Sequence, residues 1–191
     1  METPMRLLFF AGSAQEGSHN KKLARLGQKI AEANGIEAIF ADLADYEMPI
    51  YHGDLEKAEG VPERARAFKA LLGEYDGVMI VTPEYNAGIP GLLKNTLDWV
   101  SRVRTEPNVY RTRVFAISGT SPGYYGAMRS LLQLREVLAV GLGATVIPQQ
   151  MALPGAMKAF AEDGSLVDDT RQKMFADVVE ALAVAARKFA A

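Results

Sequence analysis

Gly77-Val78-Met79-Ile80-Val81-Thr82 runs directly into Pro83-Glu84-Tyr85-Asn86-Ala87-Gly88-Ile89-Pro90-Gly91. The first six residues carry no charge and read as a strand buried on both faces, the habit of parallel sheets. Two prolines and two glycines then stop the strand and turn the chain. Beyond them Leu93, Leu97 and Val100 recur at helical spacing, so the spacing predicts a helix from Leu92 to about Val103. Open parallel sheets bind ligands beyond the carboxyl ends of their strands. The 83–91 loop is therefore the first candidate site, although by itself it also fits a rigid turn with no ligand.

The same alternation extends in both directions. Upstream, Leu7–Ala11 reads as strand 1, a helix carries Leu23, Leu26, Ile30 and Ala31 as far as Gly35, and Ile36–Phe40 reads as strand 2. A long connection, Asp42 to Gly60, leads to a helix that opens at Pro62 and ends at Gly73. Downstream, Val114–Ser118 is strand 4, Tyr124–Val140 a helix, Ala144–Ile147 strand 5, and Asp169 to Phe189 a final amphipathic helix. Five strands joined by helical crossovers predict one α/β domain, residues 1–191, with helices on both faces of a parallel sheet.

Composition narrows the function. The 191 residues are 49% hydrophobic and 23% charged, with a formal net charge of -2, enough apolar content for a sizeable core. No Lys/Arg tract resembles a nucleic-acid arm, and no run approaches the ~18 apolar residues of a membrane span. Leu7–Ala11 is too short for the apolar region of a secretory signal. Cys is absent, which removes disulfides, thiolate metal sites and cysteine nucleophiles and is consistent with a cytoplasmic protein. His19 and His52 are the only histidines, and no metal-binding spacing contains them.

Gly12-Ser13-Ala14-Gln15-Glu16-Gly17-Ser18-His19-Asn20 joins strand 1 to the first helix. A helix N-terminus with free N–H groups, two hydroxyls and an amide suits a phosphate. Ser18 or Asn20 acting only as a helix cap fits equally well. The loop has neither the GxGxxG spacing of a dinucleotide fold nor the GxxxxGK[ST] of a P-loop. That leaves a smaller phosphate, such as that of a flavin mononucleotide.

Three motifs in order then give the chain a resemblance. They are Gly12-Ser13 with Gly17-Ser18 and Asn20; Thr82-Pro83-Glu84-Tyr85-Asn86 continuing through Pro90-Gly91, Leu93-Lys94-Asn95 and Asp98-Trp99; and Ser118-Gly119 with Ser121-Pro122-Gly123, Gly126 and Arg129. With these the sequence resembles the NADPH-dependent FMN reductase family of flavodoxin-like proteins, which includes quinone, azo-dye and chromate reductases. The resemblance implies a three-layer sandwich with strand order 2-1-3-4-5, the order that brings the loops after strands 1, 3 and 4 together. It implies that Ser13, Ser18 and Asn20, with Gln15 and His19 beside them, hold the FMN phosphate. Pro83, Glu84, Tyr85 and Asn86 would run along the isoalloxazine ring, and Ser118, Gly119 and Gly123 would line its other side. It implies NADPH or NADH as donor, ping-pong transfer to quinones or similar acceptors, no catalytic side chain, and a homodimer or homotetramer. Gln15 stands where the family usually has Arg or Lys, which removes a charge-assisted phosphate donor. A flavodoxin-type electron carrier and an FMN-binding regulatory protein are the alternatives.

Other residues carry expectations of their own. Trp99 reads as core or subunit contact, and Asn95 as a brace for the 83–91 loop. Asp98 and Arg102 are spaced for an i,i+4 pair. Met48, Tyr51 and His52 are candidates for an active-site rim. Tyr85, Tyr110, Tyr124 and Tyr125 are candidates for an interface, where aromatics are enriched.

Overall fold

Side chains alternate sides along two of the deeply buried strands, and this divides the interior in two. The computed structural model describes residues 4–190. Leu7, Phe9 and Ala11 with Met79 and Val81 face one core, while Leu8 and Phe10 with Val78 and Ile80 face the other. A sheet buried on both sides needs a helical layer over each.

The elements that supply those layers are β1 (Arg6–Ala11), α1 (His19–Ala33), β2 (Glu37–Ala41), α2 (Gly53–Glu59), α3 (Glu63–Gly73), β3 (Gly77–Thr82), α4 (Gly91–Arg102), α5 (Val109–Thr112), β4 (Val114–Thr120), α6 (Met128–Glu136), β5 (Thr145–Leu153) and α7 (Asp169–Ala190). All pairings are parallel, in the order β2-β1-β3-β4-β5. This is the flavodoxin-like order expected from the motifs. Residues of α1 and α7 cover one face; residues of α3, α4 and α6 cover the other. Because β1 lies beside β3 and β3 beside β4, the loops after these three strands share one edge.

Three segments differ from the sequence expectation. The 42–60 connection contains α2, which buries no residue and is capped by the His52 imidazole accepting from Leu55 N–H at 3.2 Å. The helix expected from Tyr124 begins at Met128, because Ala127 sits in the left-handed region at φ 75° and breaks the first turn. It also ends in a π-helical turn over Val137–Gly141. Strand 5 extends past Ile147 to Leu153, and Pro148, which has no N–H for the ladder, falls where the β4–β5 register shifts.

Trp99 is fully buried in a satellite cluster with Ala65 and Val103, and its indole N–H donates to Pro49 O at 2.7 Å. Asn95 braces this same segment, donating to Met48 O and Pro49 O and accepting from Tyr51 N–H, rather than bracing the 83–91 loop. The expected Asp98–Arg102 pair does not form. Lys94 reaches Asp98 at 2.7 Å from the preceding turn of α4, and Arg102 turns to Glu56 on α2 at 2.9 Å. The unforeseen helix α2 thus supplies a competing carboxylate.

Candidate cofactor site

The first loop is tied down on three sides. Gly12 donates its N–H to Val81 O at 2.9 Å, and a Cβ at Gly12 would come within 2.9 Å of Leu93, so this loop lies close on α4. Ser18 caps α1, its Oγ accepting from Asn20 N–H at 3.2 Å. The buried Lys21 ammonium donates to Ala14 O at 3.0 Å and to Asp42 at 2.6 Å. Ser13 Oγ accepts from Gln15 N–H at 3.3 Å. The Asn20 amide makes a reciprocal pair with Thr120: Nδ2 donates to Thr120 O at 3.0 Å, and Oδ1 accepts from Thr120 N–H at 2.9 Å. Asn20 therefore joins the loop after β1 to the end of β4.

The loop after β3 is a tight turn. Tyr85 and Gly88 exchange both backbone hydrogen bonds at 3.0 Å, with Asn86 at φ 50° and Ala87 at φ 65° between them. Two left-handed central residues make a type I′ turn; Asn tolerates this region, whereas Ala pays roughly 1–2 kcal/mol for it. Glu84 points away from the turn tip. Its carboxylate, almost wholly buried, accepts from the backbone N–H groups of Arg129 (3.0 Å) and Ser130 (3.4 Å) and from the Arg129 guanidinium. These are the free donors at the start of α6, which Ala127 cannot cap. Burial pushes the Glu84 carboxyl up, but the Arg129 guanidinium and the two N–H donors outweigh it and hold it below the usual carboxylate range.

Between the loops lies a cleft of about 230 Å³ lined by Gln15, Gly17, Ser18, His19, Asn20, Pro83, Glu84, Tyr85, Thr120, Ser121, Pro122 and Ala156. Seven of the residues expected from sequence meet there. The other five lie outside its lining: Ser13 turns back to Gln15 N–H, Asn86 sits at the exposed turn tip, Ser118 and Gly119 are buried inside β4, and Gly123 is exposed. Gly17, Ser121 and Pro122, motif residues given no contact role, also line it, and Thr120 and Ala156 are additions from outside the motifs. Thr120 adjoins the third motif and was open to inference, whereas Ala156 is brought in from beyond β5 with no local signal.

The cleft fits a flavin mononucleotide with neutral rather than cationic donors. None of its lining residues is Lys or Arg, and its one carboxylate is held by Arg129. Glu16 is exposed and lines a separate hollow beside Lys21, Lys22 and Arg25. The α1 N-terminus and the Ser18 cap face the cleft, which is the arrangement that receives a phosphate. His19 lies against Phe160, its ring nearly parallel at a centroid distance of 6.1 Å, and its Nδ1 is buried with no partner among the described residues. Such an orphaned atom costs about 1–3 kcal/mol until a ligand or water meets it. Burial, and secondarily Lys22, lowers the His19 pKa, which favours the neutral ring.

Fold and site together define an α/β protein of the flavodoxin-like class with a cleft at the carboxyl edge of its sheet. Comparison with known proteins agrees. The model of the NADPH-dependent FMN reductase family matches residues 5–158. The chain is 34% identical over 170 residues to a quinone reductase of Escherichia coli strain K12, covering 88% of each. It is 38% identical over 135 residues to a 2-hydroxy-1,4-benzoquinone reductase of a Burkholderia species, covering 71% of this chain and 70% of that one. The solved structure of FerB, a flavoenzyme NAD(P)H:(acceptor) oxidoreductase from Paracoccus denitrificans, superposes with a TM-score of 0.82 at 30% identity, covering 97% of this chain and 98% of that one. The chain belongs to the NADPH-dependent FMN reductase family, and with it to the NAD(P)H-dependent, FMN-binding oxidoreductases.

Proposed function

We propose that this protein is a quinone reductase with FMN as its bound cofactor, using NADPH or NADH in ping-pong turns to reduce quinones or similar small acceptors. Bound FMN would supply the redox chemistry, hydride acceptance and electron transfer, held by the loops after β1, β3 and β4. The observation that carries the reading is the convergence of the loops after β1, β3 and β4 on one cleft with neutral donors and no free carboxylate. The quinone-reducing relatives support the acceptor class.

The chain's own residues bind and orient. Ser18 and the first turn of α1 receive the phosphate, with His19 Nδ1 available beside them. Pro83, Glu84 and Tyr85 form the ring side, where the backbone N–H of Glu84 has no acceptor among the described residues; that of Asn86, at the turn tip next to the lining, has none there either. Oriented N–H groups of this kind stabilise negative charge on a reduced ring. No side chain is assigned as nucleophile or acid. With Gln15 exposed and uncharged, and no Lys or Arg lining the cleft, nothing there selects a 2′-phosphate, so both nicotinamide donors are expected to serve.

The decisive experiment is anaerobic mixing of the flavin-loaded protein with NADPH and with NADH, followed at the flavin absorbance band. Rapid bleaching by either donor and reoxidation by a quinone are expected. Bleaching only through a partner reductase would make the protein an electron carrier, and no redox response would make it a binding protein.

Assembly into a homodimer or homotetramer, in the cytoplasm where NAD(P)H is supplied, belongs to the same reading. Tyr85, Tyr124, Tyr125, Met128 and Leu132 are all exposed on and around α6. Tyr110 is not part of this surface: it is buried, and its hydroxyl donates to Leu97 O at 3.2 Å. Light scattering should give at least twice the chain mass; a particle of 20.8 kDa alone would refute the assembly.

A further inference from the structure

The turn at 85–88 is held from both ends by the same helix. On its near side Glu84 accepts from Arg129 and Ser130 at the start of α6. On its far side Ile89 donates its N–H to Gln133 Oε1 at 2.7 Å, one helical turn further along. The fit at Gly88 is close: a Cβ there would lie 2.8 Å from the same Gln133 oxygen. Between the two clasps, Ala87 occupies the left-handed region, a conformation that persists only where the surroundings over-determine it. Gln133 is exposed and belongs to neither core cluster, so the fold does not need it for packing.

We propose that Gln133, acting with Glu84, is a positioning residue for the ring side of the flavin site: the two clasps hold the strained 85–88 turn against α6 and so keep the loop's N–H groups aimed at the ring. Without the far clasp the turn is free to relax toward an unstrained form, and each binding event must then order it again, which weakens binding without removing any flavin contact. The inference rests on the FMN reading above and deepens it.

The test is flavin titration of the full chain, with both FMN and riboflavin, for the wild type, Gln133→Leu, Gln133→Glu and Gly88→Ala. Riboflavin lacks the phosphate, so it reports the ring side alone. Gln133→Leu should weaken both flavins by the same factor, about five- to tenfold, the size of one lost hydrogen bond. Gln133→Glu keeps an acceptor oxygen and should restore affinity to within about threefold of wild type. Gly88→Ala pushes a methyl into the Gln133 oxygen from the other side and should reproduce the equal loss. Wild-type affinity in Gln133→Leu, a loss confined to FMN, or no rescue by Gln133→Glu each overturns the proposal. If the wild type binds neither flavin, the FMN reading falls and this proposal with it; if the wild type binds and Gln133→Leu binds equally well, only this proposal falls.

Discussion

Asn20→Asp should both destabilise the protein and abolish tight flavin binding. The two side chains have the same shape, so packing is unchanged. The change converts Nδ2, which donates to Thr120 O at 3.0 Å, into a carboxylate oxygen facing that carbonyl. Asn20 is only 4% exposed, so water cannot screen the contact. Losing one buried bond and opposing a charge to a carbonyl costs roughly 3 kcal/mol. A carboxylate near the N-terminus of α1 recovers ~0.3–1 kcal/mol from the helix dipole, too little to compensate. For a chain of this size the melting temperature should fall by about 6–12 °C. The loops after β1 and β4 would separate, and flavin affinity should drop by more than about a hundredfold. Acid should rescue the variant, because a protonated carboxyl presents the same donor–acceptor pair as the amide. Burial raises the carboxyl pKa, so the stability gap should narrow toward about pH 5. Thermal unfolding of the flavin-free chain separates this role from direct phosphate contact. Unchanged stability with a loss of FMN but not riboflavin binding would show that Asn20 holds the phosphate instead.

That test also marks the limit of what the sequence discloses. Gly77–Thr82 announces a doubly buried strand because Val78–Val81 is an unbroken apolar run, and the special loops after strands 1, 3 and 4 converge only if strands 1 and 3 are neighbours. The β1–β3 adjacency was legible from these features, and the full order came with the family resemblance. Residue type also identified Asn20 and Glu84 as hydrogen-bonding groups at the site. It could not name their partners, because Thr120 lies 100 positions from Asn20 and Arg129 lies 45 from Glu84. Chain closure creates those pairs. Helix α2 escaped notice because it buries nothing, so no apolar stripe marks it. The start of α6 was misplaced because periodicity passes smoothly through Ala127, whose backbone is set by its neighbours and not by its side chain. Gln133 carries no motif; only the folded loop brings Ile89 to it.

The other large effect is expected at Gly119, one residue before the cleft lining begins. Gly119 pairs with Thr82 across β3 and β4, and a Cβ added to it would stand 2.4 Å from Thr82 O and 3.0 Å from the Ala127 Cβ. The first contact is with backbone and cannot be relieved by a rotamer change. The second closes the opposite direction, since Ala127 is itself buried and in the left-handed region. Thr82 cannot retreat freely either, because its hydroxyl donates to Pro83 O at 2.8 Å and shares a hydrogen bond with Ser130 Oγ at 3.0 Å. Gly119→Ala must therefore part the two strands at their carboxyl ends and carry Pro83 and Glu84 with them. Overpacking of this kind costs about 3 kcal/mol, or a fall of about 6–12 °C in melting temperature. Flavin binding should suffer more than stability, because the displaced residues lead directly into the ring loop. Gly91→Ala is the control: a Cβ there meets nothing within 4 Å, and stability should change by no more than about 0.5 kcal/mol. Retention of wild-type flavin affinity by Gly119→Ala would show that the β3–β4 edge can open without moving the ring loop, and the link from strand packing to cofactor geometry would be lost.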